Sequence, residues 1–421
     1  MRLWFHVHSW IGVTAGLMLF IIAWSGTMAV FSHEIDWALN PAIRAEGEVR
    51  SWSAIERAVR AAYPDALITA INAPFAHGFA AEVDLDSPRD NLLRVYVHPE
   101  TARIQGATSF FNVQRFFRSF HMELFIGPGR LGIYIVSAFS LALLASMVTA
   151  LIFYKRWWRG FFRLRGARGA KVLMSDLHKF AGVWNLAFVV IMVITGVWYF
   201  IEALDNDNRF FPRLREPASI TRDGPVEAMS LDDLVARTRA LRPELEIRAV
   251  YPPAKPGDTA WISGQGGHVL VRDGADRVIL DTATGDVLRN QYVRNLPLYF
   301  RWVETADALH FGTFGGLISR ILWLVFGVGL SALCLTGAYV QAHKQRRAGR
   351  RWPRLAIVAA GAATAGVLLL ASLGAVEEIT SFGPMFGRER FPDAPWGVWA
   401  FLSAWCASAL AGIGFIVGQA R

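Results

Sequence analysis

Six predominantly apolar stretches, each about 20 residues long and so long enough to span a bilayer, run through this 421-residue chain at 11–31, 131–154, 180–201, 317–341, 355–376 and 396–418. They constrain the fold more than any other feature, because a backbone inside lipid must satisfy its own hydrogen bonds and does so here as helices. The composition agrees, with 53% of residues hydrophobic. The first stretch is read as a retained span, since it lacks a small-residue cleavage site and continues directly into SHEIDWALNP.

Charge orients the spans. The loop after the second is KRWWRGFFRLRGARGAK, with seven Lys or Arg and no acid; the loop after the fourth is HKQRRAGRRWPR, with six and no acid. Such loops stay cytoplasmic. Both termini are then expected in the cytoplasm, with the long segments after spans one and three in the periplasm of a bacterial inner membrane. The formal net charge of +9 therefore reports topology. Its location at helix ends beside Trp and Phe points to membrane lipid as the partner and not to nucleic acid. The only cysteines, Cys334 and Cys406, fall within spans, so neither a disulfide framework nor a CxxC site is expected.

The first four spans and their external segments are written twice. HSWIGVTAGLMLFIIAWSG is answered by HKFAGVWNLAFVVIMVITG, with His8, Gly12 and Gly26 matching His178, Gly182 and Gly196 at a spacing of 170. Pro64, Ile68 and Pro74 match Pro243, Ile247 and Pro253 at 179, Thr101 matches Thr284 at 183, His121 matches His310 at 189, and Arg130 matches Arg320 at 190. An offset that grows only through loop insertions marks a duplicated ancestor. Parallel repeats of this kind are related by an axis along the membrane normal. Within each external segment, a short helix (Ile55, Val59 and Ala62 on one face, ending at Pro64) precedes strands such as LLRVYV and RVIL, giving two small α+β modules. Spans five and six contain no histidine and read as an appended hairpin.

The duplication decides how the histidines are read. A lone histidine at a helix end is ordinarily interfacial, and His6, which has no counterpart, is read that way. The axis, however, brings His8 opposite His178 and His121 opposite His310. Two imidazoles facing each other across a helical core are the arrangement that ligates a haem iron on both axial sides. Gly12 and Gly182 stand one turn from their histidines, on the same face, and leave clearance for a macrocycle. Two haems with bis-histidine ligation are therefore expected. His33 and His343 remain alternative ligands, because His343 aligns with Tyr154 and forms no matched pair. Zinc fits less well, since no thiolate or HExxH accompanies the histidines. Arg130 and Arg320 follow their histidines by nine or ten residues and are candidate propionate partners, with snorkelling to the interface as the plain alternative. No phosphate loop, dinucleotide fingerprint or serine triad occurs.

HSWIG…SG and HKFAG…TG, each followed by a module with an LDTATGDVL-type turn and an LH…G…G lead into the next span, resemble the PepSY-associated transmembrane family. The resemblance covers roughly residues 1–347. It implies an α-helical membrane protein of about six spans, a duplicated four-helix core plus a C-terminal hairpin, with two periplasmic α+β PepSY-like modules. The division expected is a first span (1–33), the first module (34–118), a lead-in and second span (119–156), a basic loop (157–177), a third span (178–202), the second module (203–305), a lead-in and fourth span (306–343), a second basic loop (344–354) and the hairpin (355–421). The first module departs from the pattern, with His98 and Ala102 where the second has Asp281 and Gly285.

The resemblance further implies b-type haem and a ferric-siderophore reductase, which carries electrons from an unidentified cytoplasmic donor to a periplasmic ferric siderophore and releases its iron as Fe(II). Two alternatives come from other classes. Restraint of a periplasmic peptidase would leave both histidine pairs unexplained. A siderophore or haem transporter would call for broken helices and polar residues at mid-membrane.

Overall fold

A computed structural model of the chain describes residues 1–87, 91–126, 130–156, 158, 162, 169–205, 211–212, 214, 220, 227–255, 257–347, 351–381 and 394–420. Most of the first basic loop, part of the second, residues 127–129 after His121 and most of 206–226 lie outside them.

The first span is a bent pair, α1 (Arg2–Thr14) and α2 (Gly16–Ala29), with axes 63° apart. Gly12 and Gly16 flank the bend and lower helix propensity there, so the single run expected at 11–31 becomes two helices. The helices α3 (Ser32–Leu39) and α4 (Trp52–Ala62), the strands β1 (Leu67–Asn72), β2 (Ala81–Ser87), β3 (Asn91–Val97) and β4 (Ile104–Ser109), and α5 (Val113–Glu123) follow. Next come α6 (Leu131–Phe153), α7 (Ala170–Trp184) and α8 (Leu186–Leu204). The second external segment is α9 (Leu231–Leu241), β5 (Glu246–Tyr251), β6 (Thr259–Gln265), β7 (Asp276–Asp281), β8 (Val287–Gln291) and α10 (Leu298–Phe311). The helices α11 (Gly316–Arg347), α12 (Arg351–Ser381) and α13 (Trp396–Ala420) complete the described chain. Five helices are long and apolar enough to cross a membrane, six with the bent pair.

The two external segments fold into one body. All eight strands join a single antiparallel sheet in the order β4-β3-β2-β1-β5-β6-β7-β8. The central pairing sets Ile71 opposite Val250, two residues that match at the spacing of 179, so the pseudo-twofold axis passes through this contact. The bulge between Ile68 and Ala70 recurs between Ile247 and Ala249. One apolar face of the sheet packs under α4 and α9, where Ile55, Val59, Ile71, Val83, Leu234, Val250, Ile262 and Val278 share a continuous core. The divergent turn is retained: Ala102 and Gly285 both adopt positive φ (55° and 74°). The ring of His98 accepts from the Glu100 N–H at 3.3 Å, as the Asp281 carboxylate accepts from the Ala283 N–H at 2.9 Å.

Ser51 caps α4 and Ser230 caps α9, again 179 apart. At the axis the two caps meet through Asp232, which accepts from the Ser51 hydroxyl (2.6 Å) and the Trp52 N–H (2.7 Å), while the Ser53 hydroxyl accepts from the Asp232 N–H (3.0 Å). Burial opposes ionisation of Asp232, but the hydrogen bonds from Ser51, Ser53 and Trp52 outweigh it and hold the carboxyl below its ordinary value. Its contribution is therefore present at neutral pH and lost on acidification through the lowered value. Asp232→Ala is expected to destabilise the sheet by about 1–2 kcal/mol, the range of a lost helix cap. The check is a lower thermal midpoint of the solubilised protein at pH 7; no change would show that the two halves do not lean on this contact.

Candidate functional site

The external sheet grips the two helices that carry His121 and His310. On the first half, Glu82 and Asp84 alternate with the core residues Val83 and Leu85, so they face away from α4. There Arg94 donates to Glu82 (2.8 Å) and to Gln114 of α5 (3.3 Å). The buried Asp36 of α3 accepts from the Val113 and Gln114 N–H groups (2.9 and 2.8 Å), closing the N-terminus of α5. On the second half, Arg272 pairs with Glu304 (2.6 Å) and Asp307 (3.3 Å) of α10. Beneath α5, Phe117 and Phe120 pack against Trp405 of α13, each at 5.2 Å between ring centres. The C-terminal hairpin therefore braces the first repeat.

Two pairs of imidazoles result. His8 of α1 and His178 of α7 have ring centres 6.2 Å apart, at the end of the bundle away from the sheet. His121 of α5 and His310 of α10 have ring centres 6.1 Å apart at the sheet end. Along α11, the carbonyl that meets His178 belongs to Leu333, while Trp323 donates to the carbonyl of His310. At 1.5 Å per helical residue the two pairs lie roughly 15–20 Å apart along the bundle.

Each ring is held by its Nδ1. His8 Nδ1 donates to the Ser146 carbonyl (3.0 Å), with Thr149 Oγ1 at 3.4 Å; His178 Nδ1 donates to the Leu333 carbonyl (3.0 Å), with Thr336 Oγ1 at 3.3 Å. His121 Nδ1 donates to the Ile22 carbonyl (3.0 Å), with Ser25 Oγ at 3.2 Å, and His310 Nδ1 meets Thr195 Oγ1 at 2.9 Å. A carbonyl can only accept, and Thr195 Oγ1 donates its hydrogen to the Ile191 carbonyl (2.8 Å) and so accepts from His310. This puts the proton of each ring on Nδ1 and the lone pair on Nε2. Two glycines make room for the rings: a Cβ at Gly26 would stand 2.7 Å from His121 Cε1, and one at Gly337 would stand 2.8 Å from His178 Cε1. Sequence reasoning marked Gly26 only as a repeat position and missed Gly337 and all four hydroxyls. The signal was present, since Ser25 and Thr195 are 170 apart and Thr149 and Thr336 are 187 apart.

This geometry suits a metal held from both sides. Metal–nitrogen bonds of about 2 Å, with each nitrogen about 1 Å from its ring centre, set two ring centres about 6 Å apart. Among the described residues no group of three or more His, Cys, Asp or Glu is placed to hold a metal ion. A pair of imidazoles alone fits an iron whose remaining positions are filled by a macrocycle. Space accompanies the pair at the far end: a Cβ at Gly12 or at buried Gly16 would meet nothing within 4 Å, and one at Gly182 only Leu333 Cδ1 at 3.5 Å.

The other sequence candidates have different neighbours. Arg320 is buried and engaged by the Glu34 carboxylate and the Val30 carbonyl, with its guanidinium 4.8 Å from the Phe31 ring centre. Arg130 is exposed at the N-cap of α6. His33 stacks on Phe75 at 4.2 Å, and burial together with Arg94, Arg320 and Arg118 pushes its pKa down to about 3. His343 stacks on Tyr339, which stacks in turn on Phe415 of α13. His6 is exposed.

The family model of the PepSY-associated TM region matches residues 5–344, which takes in both histidine pairs and both halves of the sheet. The chain belongs to this family. It is similar to the uncharacterized protein PA4219 of Pseudomonas aeruginosa, with 26% identity over 322 residues that cover 70% of this chain and 78% of that protein. Membership in the PepSY-associated TM region family and the apolar helices together make this a multi-pass membrane protein.

Asp36 gives a test of how the α5 platform is held. Burial raises its carboxyl to about 7, against the opposing hydrogen bonds from Gln114 and Val113. A folded-state value above the ordinary carboxylate value means that its contribution is full in acid and is lost as pH rises through about 7. Asp36→Asn, uncharged throughout, is expected to flatten the fall in thermal midpoint between about pH 5 and about pH 8. A pH profile identical to that of the unaltered protein would show that Asp36 is not the titrating group.

Proposed function

We propose that this chain is a transmembrane electron carrier of the bacterial inner membrane that reduces ferric siderophores in the periplasm. Two haem b groups are held, one by His8 and His178 and one by His121 and His310. The observation that carries the reading is the repeated pair of imidazoles at 6.2 and 6.1 Å, each with Nδ1 engaged. A haem held by each histidine pair would supply one-electron carriage.

The protein's own residues fix the tautomer, exclude water and set the spacing. The Ser146, Leu333 and Ile22 carbonyls and the Thr195 hydroxyl keep each Nε2 unprotonated and free to bind a metal. The apolar side chains between the pairs, including Phe188, Val189, Val193 and Leu330, pack into a dry core. The basic loops support a cytoplasmic His8–His178 end, where an electron donor would act, and a periplasmic sheet. Reduction favours release because hard oxygen donors hold Fe(III) far better than Fe(II).

Helix breaks at Ala15 and Asn185 are the one feature that would suit a carrier of siderophore or haem instead. A carrier's break unwinds backbone for its substrate. Here the ladder continues through both, with Ala15 N donating to Ile11 O, Leu19 N to Ala15 O, Asn185 N to Ala181 O and Val189 N to Asn185 O, at 2.8–2.9 Å. That favours electron transfer.

The purified protein is expected to show a Soret band and, on dithionite reduction, a sharp α-band. His8→Ala and His121→Ala should each remove a separate part of the signal, about half if the two haems absorb equally. A ferric siderophore should reoxidise the reduced protein, with Fe(II) captured by a ferrous chelator. A colourless protein from haem-sufficient cells overturns the reading; colour without reoxidation overturns the substrate.

A further inference from the structure

His178, Gly182 and Asn185 stand at i, i+4 and i+7 and so share one face of α7. Their counterparts in the first repeat, at the spacing of 170, are His8, Gly12 and Ala15. The third position is therefore where the two halves differ. Asn185 is only 4% exposed, at the junction of α7 and α8. Its Nδ2 donates to the Ala181 carbonyl at 2.9 Å, which fixes which end of the amide is which. Its Oδ1 has no hydrogen-bond partner among the described residues.

A buried acceptor without a donor costs stability, yet the neighbouring helix is shaped to keep it. A Cβ at Gly329 of α11 would stand 2.4 Å from Asn185 Nδ2 and 2.9 Å from Oδ1. The residue corresponding to Gly329, at the spacing of 187 that relates Thr149 to Thr336, is Ala142, and Ala142 packs in the cluster that holds Ala15. One repeat thus has an amide against glycine where the other has a methyl against a methyl.

We propose that Asn185 is a positioning residue that lowers the reduction potential of the haem held by His8 and His178. A buried carbonyl oxygen without a partner among the described residues, on the face of α7 that carries His178, is the negative end of a fixed dipole there and stabilises the ferric state. This rests on the haem reading above. In a low-dielectric interior a fixed dipole acts strongly, because no water reorients to cancel it. Functionally, a lower potential at this end makes transfer toward the His121–His310 end downhill and gives a symmetric carrier its direction.

The test is a redox titration of the whole solubilised protein, followed at the α-band, with the His8–His178 component identified as the one that His8→Ala removes. Asn185→Leu keeps the branched outline, with somewhat more bulk, and removes the dipole. It should raise that component's midpoint enough to lower the oxidised-to-reduced ratio at least threefold at the original midpoint, about 28 mV for one electron. Ala15→Asn combined with Ala142→Gly installs a second amide in matching space and should lower the same midpoint. A merely structural role would change thermal stability or Soret intensity and would not move the midpoint in opposite directions. Midpoints unmoved in both proteins, or movement only of the His121–His310 component, overturn the proposal while leaving the haem reading intact. If Asn185→Leu fails to retain haem, the double variant decides: a lowered midpoint supports the proposal and an unchanged one overturns it. An unaltered protein with no Soret band overturns the haem reading itself.

Discussion

The antiparallel contact between β1 and β5, with Ile71 opposite Val250, is the interaction on which the rest of the molecule depends. Equivalent strands from two copies of one unit can pair antiparallel only about a twofold axis, so this contact fixes the relation between the halves. It merges two modules, each too small to bury a large core alone, into one sheet with one continuous core. The same axis carries down through α5 and α10 into the bundle. There it turns single histidines on separate helices into facing pairs.

The sheet is thus more than an external ornament on a helical bundle. Asp36 and Arg94 hold the N-terminal end of α5, and Arg272 holds α10 through Glu304 and Asp307. The rings of His121 and His310 stand near the C-terminal ends of those helices, so their spacing follows from how the sheet seats them. The His8–His178 pair is placed differently, by carbonyls of α6 and α11 within the bundle. Two pairs of almost equal spacing are therefore produced by two different supports.

The two copies differ at positions beside the axis, on the α10 platform and on the histidine-bearing helices. Asp232 stands where the other half has Ser53, Asp307 where it has Arg118, and Asn185 where it has Ala15. The C-terminal hairpin is also one-sided, with Trp405 packed on Phe117 and Phe120 of α5. Beside α10 a different aromatic group, Trp198, Tyr299 and Trp302, does the packing. These substitutions make the two halves inequivalent without disturbing the facing histidines.

The apolar run lengths, the basic loops and the regular offsets of 170, 179 and 189 determined by themselves the number of spans, the duplicated design and which histidines face each other. They could do so because period, length and repetition are properties of a chain read in order. Tertiary structure decided the rest. It joined the modules into one sheet, gave Arg320 to Glu34 and His33 to Phe75, and left Asn185 Oδ1 without a partner among the described residues. Each of those outcomes depends on side chains from non-adjacent elements meeting across a few ångströms. No local pattern encodes such a meeting, because it is settled only when the whole fold brings those elements together.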